Sequence, residues 1–200
     1  MLKRGPRHKV CRRLGVAVCG RPNCPVEKRP YPPGEHGRAR RRETEYNVRL
    51  AEKQKLRAMY GVGERQFRKY YAKAAKRKGI TGEALIQALE TRLDSLVLRL
   101  GFALTQRQAR QVVSHGHVRV DGRRVNVPSA NVRPGQRIEL SDKGRTLISV
   151  REAVEVTPEP PPYLSRDTGA MAGTLERLPE RREIPLPVEV DERLIVEYYA

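Results

Sequence analysis

Residues 92–140 read RLDSLVLRLGFALTQRQARQVVSHGHVRVDGRRVNVPSANVRPGQRIEL, and no other part of the chain carries as many folding signals. Thr105-x-x-Gln108 has the form of a capping box, in which the hydroxyl accepts a first-turn N–H and Gln108 reaches back. The spacing predicts a helix over 106–114, with Ala109, Val112 and Val113 on one face and Arg107 and Arg110 on another. Gly116 supplies the left-handed residue that ends it. Val118 and Val120 alternate with His117 and Arg119, and Asp121-Gly122 signals a two-residue hairpin turn. Val125 and Val127 continue the alternation on the return. Pro134-Gly135 makes the next turn, and Ile138 and Leu140 form another strand. The hairpin carries Arg119, Arg123 and Arg124. Few partners other than nucleic acid require a segment both well patterned for folding and this basic.

Upstream, Leu89, Leu93, Leu96, Val97 and Leu100 fall at helical spacing and stop at Gly101. Residues 45–100 read as mostly helical. Phe67, Tyr70, Tyr71, Ala74 and Ala75 form one stripe of a helix ending near Gly79, with Arg65, Arg68, Lys69, Lys73, Lys76 and Arg77 on its other sides. Such aromatics can stack on bases, but at helical spacing they read as core. Residues 1–43 are rich in Arg, Pro and Gly and too poor in apolar periodicity to fold as an ordinary core. Pro158–Pro162 reads as a stiff extended linker. A short helix is expected near 147–156, with extended segments around 185–190 and 194–199.

Charge points the same way. The formal net charge is +18, and it is uneven. Residues 1–151 hold 36 basic and 12 acidic side chains, whereas residues 152–200 hold 5 and 11. A basic body with an acidic end suits RNA contact on the first and protein contact on the second. No stretch is apolar enough to span a membrane, and no secretory signal is visible. Catalysis finds little support. His115 and His117 have no nucleophile beside them, and Asp94 in its leucine-rich helix reads as a cap or an ion pair with Arg92 or Arg99. No Walker loop, dinucleotide fingerprint or HExxH occurs.

Several motifs together resemble a known family. In the central stretch these are Arg92-Leu93-Asp94, Arg99-Leu100-Gly101-Phe102, Gln108-Ala109-Arg110-Gln111, His115-Gly116-His117, Asp121-Gly122 and Pro128-Ser129. They resemble the S-four RNA-binding domain. Arg29-Pro30-Tyr31-Pro32-Pro33-Gly34, His36-Gly37, Glu52–Leu56, Tyr60-Gly61, Glu64–Arg68 and Leu194–Tyr199 are similar to the bacterial S-four family of ribosomal proteins, in the right order. The resemblance implies a non-enzymatic, cytoplasmic component of the small ribosomal subunit. Its implied target is a five-helix junction in the 5′ domain of 16S rRNA, bound early in assembly. Ribosomal proteins S-five and S-three, mRNA at its entry path and an influence on decoding accuracy are implied too. The rivals are a stand-alone RNA chaperone or stalled-ribosome factor, which the Arg29–Gly37 arm opposes, and an RNA-modifying enzyme, which lacks a catalytic domain here.

The expected fold is α+β. It combines a helical domain, an inserted small α/β RNA-binding module of the S-four (alpha-L) type and a zinc-knuckle-like N-terminal arm. The expected divisions are 1–44, 45–91 with 145–200, and 92–144. RNA contacts are expected from Tyr31, Gly34, His36, Arg38, Arg40, Arg41 and Arg42 in the arm. In the helical part they are Arg49, Lys53, Lys55, Arg65, Gln66, Arg68 and Lys69. In the module they are Arg92, Arg107, Gln108, Arg110, His115, His117 and Arg124.

The cysteines, Cys11, Cys19 and Cys24, are odd in number and carry no sign of a disulfide framework. Many family members bear a four-cysteine zinc knuckle here, in pairs spaced by two and four residues. Cys19-x4-Cys24 matches the second pair, and His8-x2-Cys11 matches the first with imidazole in place of one thiolate, an acceptable Zn²⁺ ligand. The loop between the pairs is shorter than the family's. His36 is the weaker candidate for the fourth ligand. Arg12, Arg13, Arg21, Lys28 and Arg29 surround the cluster, and the alternative is three reduced cysteines without metal.

Overall fold

The computed structural model describes residues 7–21, 23–39 and 42–200. It is a mixed helical and antiparallel-sheet structure whose contacts divide it into two compact units.

The first unit comprises residues 7–84 and 186–200. It contains α1 (Arg7–Leu14), a 3₁₀ turn (Glu35–Arg38), α2 (Glu45–Met59), α3 (Glu64–Ala74), the start of α4 (Thr81–Glu90) and α9 (Glu192–Tyr199). Thr44 caps α2 by accepting the Asn47 N–H. Phe67, Tyr70 and Ala74 on α3 are buried, as the stripe predicts, while Ala75 is exposed. Residues 192–199 are helical rather than extended. Leu194-Ile195-Val196 and the tyrosines favour a strand by propensity, but Asp191 caps the segment from the Arg193 N–H. At helical spacing Ile195 is buried, and Tyr199 stacks on Tyr71 at 4.4 Å. Tertiary packing overrides the local preference. The arm also has a small core. Cys11, Val18, Cys24 and Val26 are buried together, with Ala58 and Met59 of α2 packed against them.

The second unit comprises residues 85–185. It holds the rest of α4, then α5 (Leu93–Arg99), α6 (Gln106–Ser114), β1 (Val118–Val120), β2 (Arg123–Arg124), β3 (Arg137–Leu140), α7 (Asp142–Arg145), α8 (Ile148–Val156), β4 (Leu164–Asp167) and β5 (Ala172–Leu175). The leucine periodicity runs through 89–100, yet the backbone breaks at Thr91-Arg92. The reason is a neighbouring loop. Ala130 and Pro128 carbonyls accept the Leu93 and Asp94 N–H groups at 2.8 and 3.1 Å, and Val132 donates to Thr91. The loop takes the backbone partners that a continuous helix would use.

The strands form one antiparallel sheet in the order β2-β1-β3-β5-β4. Asp121 and Gly122 both adopt positive φ (49° and 76°), the requirement of a type I′ hairpin turn. β2 ends at Arg124. The predicted alternation through Val127 does not continue, and Val127 is exposed. Val118 lies opposite Leu140, and Val120 opposite Ile138.

Candidate nucleic-acid interface

On the second unit α6 and the hairpin gather the cations. Thr105 caps α6 from the Gln108 N–H, and Ala109, Val112 and Val113 are buried. That orientation exposes Arg107 and half-exposes Arg110. Arg119 stands opposite Arg124 across β1 and β2, and Arg123 is exposed beside them. The sequence reading assigns no contact to Arg119 or Arg123, although the Asp-Gly turn places them next to Arg124. Arg124 Nη2 donates to the His115 carbonyl at 3.3 Å, at the C-terminal end of α6, where the helix dipole favours a cation. His115 and His117 lie with ring centres 6.2 Å apart. Burial, then His115, Arg124 and Lys143, hold His117 below the usual imidazole range.

Gly116 is built for this arrangement. It has φ +75°, and a Cβ there would lie 2.2 Å from Arg124 Nε. Gly116→Ala is expected to lower stability by roughly 1–2 kcal/mol through the left-handed backbone. It is also expected to push Arg124 off the helix end. Thermal melts and RNA titrations check the two effects separately; full RNA affinity in the variant would show that the seat of Arg124 is irrelevant.

Two polar residues of the module are engaged within the protein. Arg92 has its side chain 1% exposed and grips Asp94, with Nε to Oδ1 at 2.9 Å and Nη2 to Oδ2 at 2.6 Å. It does not reach the surface. Gln108 is also engaged: Oε1 accepts the Leu104 N–H, and Nε2 donates to the Ser149 carbonyl. It reaches back one residue further than a capping box requires.

On the first unit the cations of α2 are spoken for. Lys53 is buried and donates to Glu64 at 2.9 Å, Lys55 pairs with Glu52, and Arg49 pairs with Glu45 and Glu197. Lys53 also lies over the Tyr198 ring at 4.1 Å. The outer face of α3 differs. Arg65, Arg68 and Lys69 are exposed, form no ion pair among the described residues, and line a groove of about 520 Å³ with Glu64 and Ala72. Gln66 is exposed on the same helix.

In the arm, Tyr31 lies between Arg12 and Arg38, whose guanidinium carbons sit 5.0 and 4.8 Å from its ring centre. Arg12 Nε also donates to the Tyr31 carbonyl at 3.1 Å. The Arg38 hydrogen bond is the main cause holding the Tyr31 hydroxyl below its ordinary pKa. Gly34, His36 and Arg42 are exposed; Arg40 and Arg41 lie outside the described residues. Behind this stack, His8, Lys9, Arg12, Pro25, Lys28 and Arg29 line a basic concavity of about 420 Å³. The ligand atoms of His8, Cys11, Cys19 and Cys24 lie within 4.8 Å of one another, and His36 is not among them.

Residues 3–90 match the Ribosomal protein S4/S9 N-terminal domain, and residues 91–138 match the S4 domain. The chain is 54% identical over 197 residues to small ribosomal subunit protein uS4 of Geobacillus stearothermophilus, covering 98% of this chain and 97% of that one. It is 48% identical over 205 residues to small ribosomal subunit protein uS4 of Thermus thermophilus, with the same coverage. The chain belongs to the uS4 family. It is thus a structural component of the small ribosomal subunit and not an enzyme. The two family matches meet at residues 90 and 91, where the backbone breaks between α4 and α5. Among the described residues no helix of this uS4 chain is long and apolar enough to cross a membrane.

Proposed function

We propose that this uS4 chain is a primary binder of 16S rRNA that clamps a multi-helix junction and nucleates small-subunit assembly. The observation that carries this reading is which way the cations face. Those on α2 are paired with carboxylates of the protein, whereas Arg65, Arg68 and Lys69 on α3 are exposed without an ion pair among the described residues, and Arg107, Arg119, Arg123 and Arg124 present exposed side chains on the second unit. Arginine and lysine there replace counterions at closely spaced phosphates, and the shape of the junction selects the site. The contacts are assigned to Tyr31, Gly34, His36, Arg38 and Arg40–Arg42 in the arm, to Arg65, Gln66, Arg68 and Lys69 on α3, and to Arg107, Arg110, His115, His117 and Arg124 in the module. Within this reading residues 1–44 act as a basic arm, 92–144 as the RNA-binding module, and 45–91 with 145–200 as the body. Contact with S-five and S-three, a place by the mRNA entry path, an effect on accuracy and a cytoplasmic setting complete it.

The test is salt dependence. With about six phosphates neutralised, junction-RNA affinity is expected to fall with a log–log slope of about −5 or steeper. Arg107→Ala with Arg110→Ala is expected to weaken binding while the protein stays folded. A flat salt response, or full affinity in the folded double variant, would overturn the clamp.

We also infer a structural Zn²⁺ in the arm. Tetrahedral zinc at about 2.3 Å from sulfur and about 2.0–2.1 Å from nitrogen places ligand atoms about 3.5–3.8 Å apart. Cys24 Sγ lies 3.6 Å from His8 Nδ1. That pair stands at the spacing zinc needs, and all four ligand atoms lie within 4.8 Å of one another, close enough to converge on one ion. His8, Cys11, Cys19 and Cys24 would hold the ion, which supplies ordering energy to a short polar segment. Lys9, Arg12, Lys28 and Arg29 are thereby held around one concavity.

A further inference from the structure

The outward face of α8 does not suit RNA. Ile148 is 75% exposed and Val156 is 72% exposed, more than any other large hydrophobic residue among those described. Both belong to one helix, and its buried face is the opposite one, carried by Val150 and Ala153. At 100° per residue Ile148, Glu152, Glu155 and Val156 fall within one 100° stripe. Single exposed hydrophobic residues are ordinary on a protein surface; what marks this helix is that two share one stripe. Here both ends of the outer stripe are aliphatic. Gln108 links the backbone of half-exposed Leu104 to the start of α8, accepting the Leu104 N–H and donating to the Ser149 carbonyl.

The two acids are costly where they stand. Glu152 and Glu155 are like charges at i,i+3, a spacing that destabilises a helix. Glu155 lies in the last turn, where the dipole disfavours an anion. Neither meets a cation within ion-pair distance among the described residues. Arg151, four residues before Glu155, turns away to donate to the Arg145 carbonyl at 3.0 Å. In a chain of net charge +18 this face is a local reversal, apolar and acidic together. Phosphates would be repelled from it.

We propose that the α8 face is a protein-docking surface whose occupant is a basic segment of another small-subunit protein. That segment carries lysine or arginine beside aliphatic or aromatic side chains. The apolar groups bury Ile148, Val156 and Leu104, and the cations neutralise Glu152 and Glu155. Apolar patches of this kind are buried in use because exposing them is unfavourable, and the charge pattern sets the partner's sign. This surface lies outside the residues assigned to RNA, so the two assignments fail independently.

The experiment places a photo-cross-linker in the full chain as Ile148→p-benzoylphenylalanine and, separately, at Gln111 on the exposed side of α6. Small subunits assembled with each variant are irradiated, and the adducts are identified by mass spectrometry. Position 148 is expected to yield an adduct with a lysine- or arginine-rich segment of another subunit protein. Glu152→Lys with Glu155→Lys is expected to cut that adduct at least tenfold without lowering incorporation of the chain. Both sites are exposed and lysine suits a helix C-terminus, so the fold is retained. An adduct at 148 to rRNA, to a second copy of the chain or to an acidic segment overturns the proposal, as does no adduct. Absence of an RNA adduct at Gln111 overturns the RNA face instead and leaves the α8 result standing.

Discussion

Asp94→Ala is expected to cost the second unit about 3–5 kcal/mol, the range for removing one partner of a buried ion pair. Both side chains are essentially inaccessible, and the bond is bidentate. Burial pushes the Asp94 carboxyl above its ordinary pKa, against the pull of Arg92 and Arg110. Losing it leaves a guanidinium in the core without its carboxylate. The pair itself has little net worth, because desolvating two charges offsets most of their attraction. Arg92→Met with Asp94→Leu is therefore expected to regain most of the loss. Hydrogen exchange in α5 and α6 of the full chain reads both variants. A loss below about 1 kcal/mol for Asp94→Ala would show that the pair does not hold the core together. Asp94 also reaches toward the surface: Arg110 Nη1 lies 3.8 Å from its Oδ2. The same variant is thus expected to release one arginine of the proposed RNA face.

That buried pair marks where sequence stops informing. An arginine and an aspartate two residues apart suggest an ion pair, which the structure contains, but charge does not say which way a side chain points. Arg92 and Lys53 both read as surface cations and both lie inside, because their carboxylate partners are fixed by tertiary packing. The α6–hairpin segment is legible because its determinants are local: a capping threonine, a glycine with positive φ and an Asp-Gly turn. β4 and β5 carry no such marks. Leu-Ser-Arg-Asp and Ala-Gly-Thr-Leu are strands because β5 pairs with β3, some 35 residues away in sequence. The C-terminal tyrosines are similar: their strand-like composition yields to a helix that buries Ile195 and stacks Tyr199 on Tyr71. The His/Cys cluster is legible in another way: matching His8-x2-Cys11 and Cys19-x4-Cys24 to the knuckle pattern of the resembling family names the four residues whose ligand atoms lie within 4.8 Å of one another.

Protein prepared without chelator is expected to contain about one zinc per chain, and stripping it is expected to loosen the arm alone. The arm's core has four buried side chains, Cys11, Val18, Cys24 and Val26, and two of these are among the residues proposed to hold zinc. The two valines contribute only about 3–6 kcal/mol at about 1.5–3 kcal/mol each. Structural zinc supplies apparent binding energies of about 10–16 kcal/mol in small domains, and that energy is folding energy. Burial, with Cys19 beside it, pushes the Cys11 thiol up to about 12 without metal, so zinc must displace its proton. Four protein ligands would leave no open position for water, so the proposed site would be structural. Cys24→Ser is expected to lose the metal and raise hydrogen exchange across residues 7–30. The Tyr31 stack is expected to loosen with it, since Arg12 lies on the same helix as two ligands. Exchange in α5 and α6 is expected to stay unchanged. Zinc-free protein with a fully protected arm would count against the site, and zinc retained in His8→Ala would move the fourth ligand to His36 or to water.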